Sequence, residues 1–164
     1  MNTTQLIRFL YWLYSPEAIQ LDTIENIFAR IIIAEIITGI LAYLLRRHRP
    51  DAIQQLSDDI VVLVMEGRHS LAYMLIVTYT LFEEALFYGI PLWLARCLGM
   101  NRYLTVHIAS QLWAIMHRYP GIIIPLIPMA ILKASLWISG YGWLSTLWHI
   151  AHNTIIFIVL VRRI

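Results

Sequence analysis

The sequence predicts an all-α protein, a polytopic bundle of about five transmembrane helices around a polar cavity. Its 164 residues are 60% hydrophobic and only 13% charged, with a mean hydropathy of +0.69. This composition is typical of integral membrane proteins rather than of soluble domains. Glutamates and histidines nevertheless lie inside the apolar stretches, where ionisable side chains usually line a polar cavity. We therefore expect one membrane domain over residues 1–164.

The apolar segments predict the order of the elements. Residues 1–26 are expected to form an interfacial lead-in, because their aromatic stretch is too short to cross a bilayer. Residues 27–45 form the first predicted span, and residues 46–70 a cytoplasmic loop with a short amphipathic helix. The remaining segment, 71–161, holds four more predicted spans, over about 71–95, 103–117, 122–138 and 143–161. Turn signals rich in glycine and proline separate the later spans.

The basic residues predict the orientation, since cytoplasmic loops carry an excess of arginine and lysine. Arg96 and Arg102 fall on one side of the predicted membrane. A larger group falls on the other side: Arg46, Arg47, Arg49, Arg68, Arg118, Arg162 and Arg163. With five spans, this distribution predicts an external amino terminus and a cytoplasmic carboxyl terminus. Lys133 does not fit the rule, because this basic residue falls inside the fourth predicted span. The basic residues form no patch typical of nucleic-acid binding, so no nucleic-acid partner is expected. The apolar composition instead makes the lipid bilayer the expected environment.

Three short motifs carry the polar residues of the apolar half: Glu83-Glu84 in FEEALFYG, Trp113 and His117 in WAIMH, and His149 and Asn153 in HIAHN. Residues four apart share a helix face, so the members of each later pair point the same way. Adjacent residues diverge by about 100°, so one glutamate is expected to face the chemistry and the other to brace a neighbouring helix. A carboxylate together with His117 could activate a water molecule. His149 and Asn153 could then donate hydrogen bonds to the oxyanion of a peptide carbonyl.

Structural interpretations compete with this chemistry. The two glutamates could form salt bridges with arginines and only hold helices together. Glu35 is expected to pair with Arg30 or with another helix, and His107 to be a packing residue. His152 points away from His149 around the same helix and is expected to take a supporting role at most. We leave these residues outside the predicted site.

The order and spacing of the motifs resemble the CPBP family of glutamic intramembrane proteases, which includes the CAAX prenyl endopeptidases and the bacterial Abi proteins. The shared pattern is a glutamate pair followed by Gly89, an aromatic residue four before a histidine, and a histidine four before an asparagine. The resemblance covers about residues 71–160 and implies a catalytic core within the membrane. It further implies that Glu83 and His117 activate water, while His149 and Asn153 stabilise the oxyanion.

Two positions depart from the family pattern. The family's second glutamate normally has an arginine four residues further on, where this chain has Tyr88. A tyrosine can donate one hydrogen bond to Glu84 but brings no charge, so Glu84 is expected to be protonated or paired with a distant arginine. The usual phenylalanine of the second motif is Trp113. Glu84, Tyr88 and Trp113 are expected to support the four proposed catalytic residues, all of which are present.

The sequence therefore predicts an intramembrane endopeptidase that processes a membrane-anchored protein, a sorting-tagged tail or a secreted peptide in a prokaryotic cell membrane. One alternative is a non-catalytic peptide-binding or immunity protein. Another is a zinc protease with Glu83, His117 and His149 as ligands. No cofactor is expected, because the HExxH pattern is missing and Cys97 is the single cysteine. A proton-coupled transporter is disfavoured by the lack of an inverted repeat.

Overall fold

The computed structural model describes residues 2–48, 58–117 and 120–162, and within these ranges every regular element is a helix. The all-α class is therefore confirmed for the described residues. The predicted loop residues 49–57 and the turn residues 118–119 lie outside them. The helices are α1 (Thr3–Tyr14), α2 (Pro16–Gln20), α3 (Ile24–His48), α4 (Asp58–Met65), α5 (His69–Glu84), a π-helical turn (Ala85–Gly89), α6 (Ile90–Cys97), α7 (Arg102–Met116), α8 (Pro120–Ile138) and α9 (Gly142–Val161).

Three stretches of helix are long and apolar enough to cross a membrane: Ile24–Leu45, His69–Cys97 and Gly142–Val161. They correspond to the first, second and fifth predicted spans, and they support a membrane protein. Helix α7 has 15 residues and is therefore about 22 Å long, which is short for a hydrocarbon core of about 30 Å. The apolar part of α8, Ile123–Ile138, is also shorter than a standard span. The count of five spans consequently stays a prediction.

Local sequence explains where several helices begin. The Asn2 side chain accepts a hydrogen bond from the Gln5 backbone, while the Gln5 side chain accepts one from the Asn2 backbone, which makes a capping box for α1. Ser15 caps α2 directly before Pro16, a residue suited to the first helical position. Asn101 caps α7 by accepting from the backbone N–H of Leu104.

Helix α8 is the centre of the bundle and packs against α3, α7 and α9. Its five consecutive residues 132–136 are all buried, as expected for a helix surrounded by others. The amino-terminal helices also lie on α8, because the hydroxyl groups of Ser135 and Ser139 donate to the backbone carbonyls of Tyr14 and Pro16. Part of the predicted interfacial lead-in is thus packed into the bundle.

The short helix predicted within the cytoplasmic loop corresponds to α4. Its residues Ile60 and Val64 are buried against Ala72 and Ile76 of α5. The apolar side of this helix therefore covers α5 rather than standing free.

A π-helical turn, Ala85–Gly89, lies between α5 and α6 and ends just before Ile90 and Pro91. The backbone N–H of Ile90 bonds to the carbonyl of Ala85, five residues earlier. Wider turns of this kind disturb the regular α-helical ladder locally and occur frequently at functional sites. Here the π-helical turn begins directly after Glu84.

Candidate active site

Trp113 is the residue around which the predicted catalytic groups gather. It lies buried on α7, and its indole N–H donates a hydrogen bond of 2.8 Å to Oε2 of Glu83. The rings of His117 and His149 meet the indole edge-on, at centroid distances of 4.9 and 5.4 Å. Nδ1 of His117 lies 2.9 Å from the backbone carbonyl of Trp113, one turn earlier in the chain. Three of the four predicted catalytic residues therefore contact one aromatic side chain.

The two adjacent glutamates have different environments. The side chain of Glu83 is 32% exposed, whereas that of Glu84 is 2% exposed. Glu84 accepts hydrogen bonds from the Trp137 indole (2.8 Å) and the Ser145 hydroxyl (3.0 Å), and so ties α5 to α8 and α9. This division agrees with the expectation that one glutamate braces neighbouring helices and the other faces the chemistry.

His149 is 3% exposed and lies between the two carboxylates. Its Nδ1 is 2.9 Å from Oε1 of Glu84, and its Nε2 is 3.7 Å from Oε2 of Glu83. The side chains of the two glutamates point in different directions from α5, as expected. Both nevertheless reach His149, where they face different nitrogens of its imidazole ring. His149 is thus the point on α9 where the two sides of the site meet.

Asn153 lies one turn after His149 and makes a separate contact. Its side-chain Nδ2 donates a 2.8 Å hydrogen bond to the hydroxyl of Thr80, which is one turn before Glu84 on α5. Asn153 therefore borders the cluster along the same α5–α9 contact. Thr80 was not among the sequence-predicted site residues, and its burial on α5 is the structural signal that identifies it.

Lys133 is the principal residue that sequence reasoning left out of the site. It is fully buried on α8 and forms a salt bridge with Glu84. Its Nζ lies 2.7 Å from Nδ1 of His149 and 4.2 Å from the centre of the Trp113 ring. Glu84 is therefore paired with this lysine, whereas the sequence predicted either a protonated carboxyl group or a distant arginine partner. The signal was present in the sequence, because Lys133 is the only lysine of the chain and lies within an apolar segment.

Tyr88 does not make the hydrogen bond to Glu84 that the sequence suggested. Its ring is buried with its centre 5.0 Å from Nζ of Lys133, and its hydroxyl has no hydrogen-bond partner among the described residues. The oxygens of Glu84 are already occupied by the lysine, the Trp137 indole and the Ser145 hydroxyl. The positive charge near Glu84 thus comes from α8 rather than from position 88.

A second polar contact joins α3 to α9 beside the site. Glu35 accepts a hydrogen bond of 2.5 Å from the Trp148 indole, and its Oε1 lies 3.0 Å from Nδ1 of His152. This is the predicted pairing of Glu35 with another helix; Arg30 instead forms a salt bridge with Asp22. An open groove of about 320 Å³ follows this contact, lined by Glu35, Trp148, Ala151, His152, Ile155 and Ile156.

The residues suggested as zinc ligands do not form a metal-binding arrangement in the described part of the chain. Within residues 2–48, 58–117 and 120–162, no group of three or more histidine, cysteine, aspartate or glutamate side chains is arranged to hold a metal ion. A zinc ion needs each nitrogen or oxygen ligand at about 2.0–2.2 Å. Adding a chelator to a cleavage assay tests zinc dependence directly.

Comparisons of the chain with protein-family models, with curated proteins and with solved structures find no match. The resemblance to intramembrane proteases therefore rests on the motif residues themselves. The geometry adds that Glu83, His117 and His149 all contact Trp113, although they come from three different helices or helix ends.

Proposed function

We propose that the protein is an intramembrane endopeptidase of the CPBP type, which hydrolyses a peptide bond at or within the membrane. The observation that supports it is the cluster around Trp113, which joins Glu83 of α5, His117 at the end of α7 and His149 of α9. Glu83 and His149 come from two other helices, and they would not need to meet at Trp113, beside His117, if each were only a local packing residue. Their setting in an apolar protein makes a shared chemical role the economical explanation.

In the proposed mechanism Glu83 is the general base. It is the more exposed of the two glutamates. Among the described hydrogen bonds and ion pairs, its carboxylate accepts a hydrogen bond from the Trp113 indole and lies 3.7 Å from Nε2 of His149, with no other partner. Glu83 takes a proton from a water molecule that His117 helps to position, and the resulting hydroxide attacks the carbonyl carbon of the substrate. His149 and Asn153 stabilise the negative oxygen of the tetrahedral intermediate. The proton then passes to the departing amine as the carbon–nitrogen bond breaks.

The substrate class follows from the setting. Glu83, His149 and Asn153 lie on helices that are long and apolar enough to cross a membrane, so the scissile bond must reach them close to or inside the bilayer. A membrane-anchored protein, a sorting-tagged tail and a small secreted peptide all meet this condition. The proposed orientation keeps the carboxyl terminus in the cytoplasm of a prokaryotic cell.

The test is cleavage of a peptide library by the purified protein in detergent. Wild type is compared with Glu83→Gln, and with Glu66→Gln as a matched control, because Glu66 is exposed and pairs only with Arg68 among the described ion pairs. The proposal expects cleavage by the wild type and the control, loss of cleavage in Glu83→Gln, and no effect of a strong chelator. Cleavage that persists in Glu83→Gln would overturn it, and cleavage abolished by the chelator would indicate a zinc protease instead.

A non-catalytic peptide-binding or immunity protein is the second candidate. It is favoured by one feature of the site, namely that the polar groups satisfy each other: Trp113 donates to Glu83, and Asn153 donates to Thr80. In this case peptides from the library would bind to the wild type without being cleaved. Binding would also survive in Glu83→Gln, because it does not require a general base.

A further inference from the structure

The ammonium group of Lys133 has three N–H donors and three acceptors around it. It forms a salt bridge with Glu84, lies 2.7 Å from Nδ1 of His149, and sits 4.2 Å from the centre of the Trp113 ring. A lysine ammonium donates hydrogen bonds and accepts none. The 2.7 Å contact with Nδ1 of His149 is therefore a hydrogen bond only when Nδ1 carries no proton, whereas the 2.9 Å contact of the same nitrogen with Oε1 of Glu84 is one only when Nδ1 is protonated. The ammonium is the closer of these two partners, and Oε1 of Glu84 already pairs with it, so the geometry favours an unprotonated Nδ1.

The surroundings of the other imidazole nitrogen lead to the same result. Nε2 of His149 faces Oε2 of Glu83 at 3.7 Å, and that carboxylate oxygen already accepts from the Trp113 indole. Nδ1, by contrast, has both a cation and the Glu84 carboxylate next to it. A proton on Nε2 meets only negative charge, whereas a proton on Nδ1 would point into a site shared with the ammonium. Electrostatics therefore favour the Nε2–H form of the ring.

We propose that Lys133 is a positioning residue that holds His149 as the neutral tautomer with its proton on Nε2. This inference rests on the proposed function for its consequence, since an Nε2–H directed toward Glu83 is the donor that an oxyanion beside that glutamate requires. The lysine thus has two tasks: it neutralises Glu84 and it decides which nitrogen of His149 can donate. Neither task needs Lys133 to touch the substrate.

The primary test is nitrogen-15 NMR of the histidine side chains in detergent micelles, which distinguishes a protonated ring nitrogen from a lone-pair nitrogen. The chain has six histidines, so the spectrum of a His149→Gln variant assigns the relevant signals. Wild type at mildly alkaline pH is expected to show an unprotonated Nδ1 and a protonated Nε2 for His149. A proton on Nδ1, whether alone or together with one on Nε2, would overturn the proposal.

The second test removes the lysine. In Lys133→Met the Glu84 carboxylate is the remaining charged neighbour of Nδ1, so the proton is expected to move to Nδ1. Once a cleaved peptide is known, kcat of this variant is expected to fall by about 10²–10³, as on loss of one oxyanion donor. KM is expected to change little, whereas a general structural disturbance of the site would change KM as well as kcat. An unchanged tautomer in the folded variant would contradict the assignment, and if the variant does not fold, the wild-type spectrum decides.

The two readouts separate this inference from the proposed function. The spectrum needs no enzymatic activity, so an Nε2–H tautomer in a protein that cleaves nothing would uphold the role of Lys133 and refute the protease. Cleavage that depends on Glu83, together with a proton on Nδ1, would instead uphold the protease and refute the role of Lys133.

Discussion

Removing the charge of Lys133 is expected to destabilise the protein strongly. Lys133 and Glu84 form a salt bridge in which the side chains are 0% and 2% exposed. Lys133→Met keeps an unbranched chain but leaves the carboxylate without a cation, although the Trp137 and Ser145 donors remain. Breaking a buried pair by removing one partner typically costs about 3–5 kcal/mol. We expect a loss of that size in the free energy of unfolding, measured in detergent micelles.

The double variant Lys133→Met/Glu84→Gln makes the test specific to the ion pair. Because both charges are removed together, no unpaired charge stays buried, and the double variant should lose clearly less than the sum of the two single variants. A coupling energy of about 2–3 kcal/mol is expected, at the upper end of the range for residues in contact. Glu66→Gln is the exposed control, since its partner Arg68 is 3.5 Å away and both side chains are more than half exposed; it should change stability by at most about 1 kcal/mol. Additive single variants, or a Lys133→Met effect as small as that of the control, would rule out a strongly coupled buried ion pair.

Two further substitutions test the packing around the site, and a third serves as a control for the first. Gly142→Ala would put a Cβ 2.6 Å from the ring of Trp137, so we expect it to displace that indole and to lower the free energy of unfolding by about 1–3 kcal/mol. Gly39→Ala is the control, because nothing lies within 4 Å of its new Cβ, and it should be neutral or slightly stabilising. Equal melting temperatures for the two variants would contradict the close approach of Gly142 to Trp137. Glu35→Gln weakens the contact with the Trp148 indole and should lower the free energy of unfolding by about 1–3 kcal/mol without abolishing cleavage. Unfolding curves measure the first effect and the peptide assay measures the second. Loss of cleavage in the folded variant would extend the active site to α3.

The sequence predicted the helical class and three of the apolar spans well, because both depend on composition along the chain. It also selected Glu83, His117 and His149, which the structure brings into contact with Trp113, because ionisable residues in apolar helices stand out. It could not identify Lys133 as the partner of Glu84, because the two are 49 positions apart and only the packing of α8 between the other helices brings them together.

The same reason explains the error at Tyr88. Sequence spacing suggests that a residue four positions after Glu84 lies above it on the same helix. Whether it forms a hydrogen bond depends on which groups from other helices already occupy the carboxylate, and here Trp137 and Ser145 do. Trp113 was expected to support the catalytic residues, and its contact with His117 follows from their spacing of four residues. Its contacts with Glu83 and His149 could not be predicted, because they depend on how α5, α7 and α9 meet.

The proposed mechanism requires Glu83 and His117 to act on one water molecule, and the rate of peptide cleavage in single and double variants measures whether they do. Glu83→Gln and His117→Ala are each expected to lower kcat by about 10²–10⁴, the contribution of a general base. Residues that act as a unit are strongly non-additive, so the double variant should be little slower than the slower single variant. Losses that multiply in the double variant, or a Glu83→Gln protein that cleaves within a few-fold of wild type, would contradict the mechanism.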